Sequence, residues 1–416
     1  MYQASPIARV LGALVGRRGE RGAVVGRNVV LLGLTSLVTD VSAEMVSTIL
    51  PLYLLYSLEV SPLGLGAIDG LYHAVEAIVR VSSAYLADRL GRMKALAAIG
   101  YALSAVCKLG LLLAGSGVSA IAGVVAVDRM GKGVRAAPRD ALVSLSVPRR
   151  ALGAAFGVHR ALDTTGAMLG PLVAFGLLAV VPGGYDVVFV VSFCVALLGL
   201  AIFLLLVESP APRAEEKEAE GPADNVERAS SPARPSGIAS LAVVGAVFGA
   251  GAVSDGLFYL VLQKWAGFEP RFVPLVFVAS ALSFAALAIP MGRLADHVGR
   301  RRVFVAGHVL LAGAYAIVLA AQPSTALIVG CVLLVGAFYA ATDGVLIAVV
   351  SAGMTEERRT TGIASLTTAV SLARFVGSLG FGAVWAAWDF RHALSVQIAV
   401  LGIGVAASVM VWRPRA

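Results

Sequence analysis

The chain has 416 residues, of which 58% are hydrophobic and only 14% charged, and its mean hydropathy is +0.87. A soluble domain is about half apolar and about a quarter charged, so this composition excludes an ordinary water-soluble enzyme, a disordered chain and a collagen-like repeat. It leaves a polytopic helical membrane protein. The formal net charge of +8 does not describe a nucleic-acid surface, because the basic residues fall in short gaps between apolar runs, where membrane topology places them.

In chain order, residues 1–27 open with Ile7, Val10, Leu11, Leu14 and Val15 at helical spacing among Arg9, Arg17, Arg18 and Arg21. This pattern predicts an amphipathic segment on the cytoplasmic membrane surface rather than a cleaved signal. Twelve apolar runs of spanning length follow. Six lie in residues 28–207: Asn28–Ser57, Leu65–Ala87, Ala95–Ala114, Val118–Leu142, Leu152–Val181 and Val187–Val207. Six lie in residues 238–412: Ile238–Gln263, Phe272–Met291, Val303–Ala321, Ala326–Ser351, Gly362–Ala387 and Ala393–Trp412. Between the sets, residues 208–237 hold seven acids and five prolines, which predicts a solvated linker. Residues 413–416 form a tail.

The expected fold is therefore all-α, with twelve transmembrane helices in two pseudo-symmetric six-helix bundles. Basic residues concentrate before the first run, in alternate loops, in the linker and after the last run, whereas Lys264, Arg271 and Arg391 stand in the opposite loops. That asymmetry places both termini in the cytoplasm of a multi-pass protein of the inner membrane. Cys107, Cys194 and Cys331 lie far apart in apolar runs and read as small buried hydrophobes.

The apolar runs carry ionisable residues, which are expensive in a membrane and point to function. Asp40 and Glu44 lie one turn apart. Asp69, His73, Glu76 and Arg80 share one helical stripe. Lys108, then Asp128, Arg129 and Lys132, then His159, Arg160 and Asp163 complete the first half. The second half has Asp255, His308, Asp343 and Arg374. Arg129 stands near mid-span, as an active charge or in a neutralising pair with Asp128 or with another helix. Glu76 and Arg80 read better as a static pair. His159 with Asp163, and Asp69 with His73, have ligand spacing, but such sets are short and no metal is expected. Phe258, Tyr259, Phe338 and Tyr339 read more readily as packing than as cavity wall. Asp343 corresponds to either Asp128 or Asp140 in the other half.

A loop signature occurs twice. One copy is Ala84-Tyr85-Leu86-Ala87-Asp88-Arg89-Leu90-Gly91-Arg92-Met93-Lys94. The other is Gly292-Arg293-Leu294-Ala295-Asp296-His297-Val298-Gly299-Arg300-Arg301-Arg302. The aspartate ends one helix and can face the positive start of another, and the glycine allows a tight turn. These copies resemble the G-x-L-A-D-x-x-G-R-[RK] loop of the major facilitator superfamily, with Ala84 in place of the first glycine. The resemblance implies two bundles rocking about a central cavity, with Asp88, Arg89, Gly91, Arg92, Gly292, Asp296, Gly299 and Arg300 latching one face.

Two further stretches resemble motifs of that superfamily. Asp128 to Ala137 is similar to the R-x-x-[polar]-G-x-G-A-A helix of proton-coupled members, with Arg135 at the second glycine, which implies a coupling role for Arg129. Gly157, Gly166, Gly170 and Pro171 resemble the G-x8-G-x3-G-P-x2-G helix of drug–proton antiporters, with Ala174 last, which implies export.

The resulting expectation is proton-coupled efflux of a small organic solute or drug. Asp40, Glu44 and Arg129 are expected to handle protons. Glu76, Lys108, His159, Arg160, Asp163, Asp255, Asp343 and Arg374 are candidates for the cavity. The expected partners are a small-molecule substrate, protons and the lipid bilayer, with no nucleic acid and no cofactor, and the expected state is a monomer without enzymatic activity. The alternatives are a symporter importing an organic anion, a lipid flippase, and a receptor or scaffold of the same fold.

Overall fold

The computed structural model describes the backbone of residues 26–90, 92–115, 117–148, 151–209, 235–352 and 356–411. It also describes the side chains of these, except 81, 84–90, 153, 235–242, 344–352, 356–365 and 411. The proposed surface segment before residue 26, the linker from 210 to 234 and the tail lie outside the described residues.

Lipid offers no partner to backbone N–H and C=O groups, so an apolar span satisfies them internally as a helix. The first half consists of α1 (Arg27–Leu52), α2 (Pro62–Leu90), α3 (Met93–Leu113), α4 (Val118–Leu145), α5 (Leu152–Val180) and α6 (Tyr185–Leu206). The second half consists of α7 (Pro235–Gly251), α8 (Asp255–Ala266), α9 (Val273–Val298), α10 (Arg300–Ala320), α11 (Thr325–Ala352), α12 (Glu356–Ala387) and α13 (Phe390–Val411). Ten of the spans are apolar enough to cross a membrane by length and composition. The two outside that set, α2 and α4, are rich in ionisable residues.

Two spans depart from a simple helix. In α1, Pro51 is followed by one π-helical turn over Tyr53–Ser57, which widens the helix where proline has no N–H to give. The seventh span, expected as one run, is two helices. The chain leaves α7 after Gly251 and restarts at Asp255, where the Ser254 hydroxyl caps α8 by accepting from the Leu257 N–H. The Val253 N–H freed by the break donates to the Tyr315 hydroxyl at 3.0 Å. Such interrupted backbone survives at membrane depth where it lines a cavity.

Glycines set the closest helix crossings. A Cβ at Gly166 of α5 would overlap the Leu37 carbonyl oxygen of α1, and a Cβ at Gly377 of α12 would overlap that of Ala250 in α7. The same crossing thus recurs in each half. The halves meet where α2 packs on α12, α5 on α9, and α1 on α8. Gly66 and Gly382 bring α2 and α12 together backbone to backbone. The cross-half contacts at Tyr56 with Gln263, Pro51 with Gly256, and Phe175 with Phe272 all lie at this end of the bundles. It is called the sealed end below.

The second half is centred on stacked rings. His308 lies 4.1 Å from the Phe248 ring and also contacts Phe304 and Phe338, while its Nδ1 meets the Phe304 carbonyl at 2.9 Å. His308, Phe258, Tyr259 and Phe338 are buried packing groups. Cys107 and Cys331 are buried as expected, but Cys194 is exposed, because its position falls on the outward face of α6.

Candidate functional site

The α4 segment from Asp128 to Asp140 is the polar spine of the first half. Asp128, Lys132, Arg135 and Arg139 follow one another at steps of four, three and four, so they share a face. Arg129 stands beside them. Each arginine pairs with a carboxylate from a different helix. Arg129 reaches Glu76 of α2 at 3.7 Å, Arg135 reaches Asp40 of α1 at 3.3 Å, and Arg139 reaches Asp163 of α5 at 3.3 Å.

Asp128 closes the spine at its sealed-end side. It accepts from Lys108 at 2.5 Å and from Ser104 at 2.6 Å, both of α3, and it also pairs with Arg129. The Arg129 guanidinium lies 3.9 Å from the Tyr72 ring centre and that of Arg135 lies 4.8 Å from Tyr101, so aromatic faces supply further cation stabilisation. Ser36 of α1 joins the third pair, accepting from Arg139 at 2.8 Å and donating to Asp163 at 2.9 Å.

Between the halves lies a cavity of about 190 Å³. Glu44 and Ser47 of α1, Asp69 and His73 of α2, the broken backbone at 252–257 and Arg374 of α12 contribute its polar wall. Leu65, Tyr72, Phe277 and Tyr339 contribute apolar surface. Ser47 donates to Glu44 at 2.6 Å and Tyr339 donates to Asp255 at 2.8 Å. Asp69 spans the gap, accepting from Ser254 at 2.6 Å and from Ser378 at 2.7 Å.

The structure divides the expected site residues into groups. Glu44, Asp255 and Arg374 line the cavity. Asp40 does not meet Arg129; the residue that takes the place of the motif's glycine, Arg135, holds it instead. Glu76 joins Arg129 rather than Arg80, and Arg80 stands exposed, 4.0 Å from Asp140. Lys108 is 2% exposed and sealed into the Asp128 cluster. His159 is buried with no hydrogen-bond partner for Nε2, near Asp163 and Arg139. Arg160 and Asp343 are exposed on α5 and α11.

Of the α5 glycines, Gly166 and Gly170 press against α1, with a Cβ at Gly170 falling 2.8 Å from the Val41 carbonyl oxygen. Gly157 faces open space, and Pro171 is buried inside α5. In the second loop motif, Asp296 pairs with Arg300 at 3.2 Å across a turn at Gly299, whose φ of 107° suits glycine. Gly292 has no neighbour where a Cβ would stand. In the first copy, Arg92 is exposed at the start of α3, whereas Gly91 and the side chains of Asp88 and Arg89 lie outside the described residues.

Sequence reasoning did not single out Ser254, Ser378 or Arg139, and it gave Asp69 a place in a stripe and a ligand-like spacing with His73, not a bridge between the halves. The i, i+3, i+4 spacing of the α4 cations was the available signal for Arg139. Nothing local marks Ser378, which is distinguished only by what it touches. Among the described residues, no three His, Cys, Asp or Glu side chains gather in a way that would hold a metal ion.

A membrane-embedded two-bundle fold around a cavity between its halves is the architecture of a solute transporter. The description of the Major Facilitator Superfamily matches residues 32–268 and 250–416, and the chain belongs to that family. It is a membrane transporter of the MFS type. It is 28% identical over 379 residues to an uncharacterised MFS-type transporter of Methanocaldococcus jannaschii, covering 89% of this chain and 91% of that protein. An uncharacterised protein of Mycobacterium bovis is 38% identical over 159 residues, or 38% of each chain.

Solved structures share the fold at low identity. A mutant of the nucleoside transporter NupG superposes with a TM-score of 0.78 at 12% identity, covering 93% of this chain and all of that one. A bacterial homologue of the human lysosomal transporter Spinster, in an inward-facing unoccupied conformation, gives 0.74 at 15% identity, covering 94% and 98%.

Proposed function

We propose that the chain is a proton-coupled exporter of a small organic solute, working by alternating access as a monomer in the cytoplasmic membrane. The observation that carries this reading is the α4 spine, which ties the buried Asp40 of α1 and the half-buried Glu76 of α2 and Asp163 of α5 to arginines of one helix. A carboxylate beside an arginine stays ionised, and the same carboxylate desolvated without its partner takes up a proton. Rocking of α1 and α5 against α4 changes those pairings, so Asp40 exchanges protons as the cavity changes sides. Arg135 and Arg129 hold the charge balance, and Glu44 links the spine to the cavity. With both termini in the cytoplasm, the sealed end faces outward and the cavity opens inward. The antiporter-like α5 motif, whose Gly166 and Gly170 set the α1 crossing, favours export.

The test is loss of fluorescein (an anion) and ethidium (a cation) from preloaded transporter-deficient cells. The expected result is faster loss of at least one dye, stopped by a protonophore and by Asp40→Asn at equal membrane level. Retention of both dyes as in empty-vector cells, or efflux indifferent to the protonophore, overturns the reading.

A further inference from the structure

We infer that the cavity binds an amphipathic organic carboxylate, with the Arg374 guanidinium as anchor for the anionic group. The inference rests on transport as the function and adds the chemical class of the solute.

Arg374 differs from the arginines of α4. Arg129, Arg135 and Arg139 each have a carboxylate within ion-pair distance. Arg374 lines the cavity, yet its buried Nε has no hydrogen-bond partner, and among the described residues no carboxylate lies within ion-pair distance of its guanidinium. A guanidinium carries five N–H donors in a fixed fork, and an unpaired charge at membrane depth is costly. A carboxylate supplied by the solute satisfies both demands through two parallel hydrogen bonds.

Asp255 and Asp343 act on Arg374 electrostatically but stand beyond ion-pair distance, so the acids near the cavity do not close its hydrogen bonds. Asp69 holds Ser254 and Ser378, Asp255 holds the Tyr339 hydroxyl, and Glu44 holds Ser47. Each is fixed by a hydroxyl donor, within its own half for Glu44 and Asp255 and across the gap for Asp69. Arg374 lies one helical turn from Ser378, and both line the same cavity as Asp69. His73, one turn from Asp69, lines the same cavity. Leu65, Tyr72 and Phe277 offer surface for an apolar body, and the volume of about 190 Å³ keeps the solute small.

The test uses the purified full chain in detergent and follows thermal unfolding by tryptophan fluorescence. Benzoate, phenylacetate and hippurate are the carboxylate probes, and benzamide and benzylamine are the neutral and cationic counterparts. At least one carboxylate is expected to raise the unfolding midpoint saturably, while benzamide and benzylamine do not. Arg374→Gln is expected to weaken that carboxylate by about tenfold or more. Arg374→Lys, which keeps the charge and loses the fork, is expected to fall between, and it carries the comparison if Arg374→Gln does not fold. No stabilisation by any of the three carboxylates, equal stabilisation by benzylamine, or unchanged affinity in the Arg374 variants overturns the inference. Carboxylate binding that depends on Arg374 in a protein that exports neither dye sustains this inference while removing the export reading.

Discussion

Ser378 of α12 donates to Asp69 of α2 at 2.7 Å, joining residues 309 positions apart and with them the two halves of the transporter. Ser254, at the break in the seventh span, donates to the other Asp69 oxygen at 2.6 Å. One carboxylate therefore holds both a continuous and a broken helix of the opposite half at the sealed end.

Removing that carboxylate should loosen the sealed end. A hydrogen bond to a charged group contributes about 1.5–3 kcal/mol, so losing two of them in Asp69→Ala is expected to shift the sealed-to-open balance by at least about tenfold. Amide hydrogen exchange over residues 252–262 reads the change, with faster exchange expected in the variant. Exchange identical to wild type would show that apolar contacts alone hold this end.

The glycines of α5 make a sharper steric contrast. A Cβ at Gly166 overlaps the Leu37 carbonyl oxygen, whereas a Cβ at Gly157 meets nothing within 4 Å. Gly166→Val is therefore expected to force α5 away from α1, lowering the thermal midpoint and abolishing transport. Gly157→Val is expected to keep the midpoint near that of wild type. If Gly157→Val folds normally but does not transport, the open space at Gly157 is filled in another state of the cycle.

The Asp128 cluster predicts unequal losses from removing its carboxylate and from removing Lys108. Asp128 neutralises both Lys108 and Arg129. Breaking a buried ion pair from one side costs about 3–5 kcal/mol. Asp128→Asn leaves two buried cations short of a counter-charge, while Lys108→Met leaves Asp128 still paired with Arg129. The thermal midpoint should fall further in Asp128→Asn, and equal losses would mean that Arg129 finds Glu76 sufficient.

Hydropathy located each span to within a few residues because lipid imposes one solution on every apolar run. It did not reveal the gap at 252–254, since Ala252 and Val253 are as apolar as their neighbours and the break is stabilised from outside by Tyr315. The ionisable residues were legible as unusual, but their pairing was not. Asp40 and Arg129 were grouped as proton handlers through the family resemblance, and Asp40 lies instead against Arg135, nearly two turns further along α4. Pairing depends on helix rotation and offset, which no local spacing encodes. The Asp69 bridge was illegible for the same reason, since two of its three members are serines from distant spans.

The Asp40–Arg135 pair separates a coupling role from a purely structural one. Asp40 and Arg135 are both buried, 3.3 Å apart. Asp40→Asn strands the Arg135 charge and is expected to lower stability by about 3–5 kcal/mol, while Arg135→Gln lets Asp40 take up a proton and is expected to cost less. The double variant removes both charges and should recover part of that loss, a coupling of about 0.5–3 kcal/mol in a double-mutant cycle. Stability alone does not identify proton exchange, because a static bridge predicts the same cycle. Proton release by the purified protein on a pH step, read with a soluble indicator dye, makes the distinction. Asp40→Asn and the double variant should both release fewer protons than wild type even where the double variant recovers its stability. If the double variant is stable and releases as many protons as wild type, Asp40 is a strut, and Glu44, the acid on the cavity side of the same helix, becomes the group to replace next.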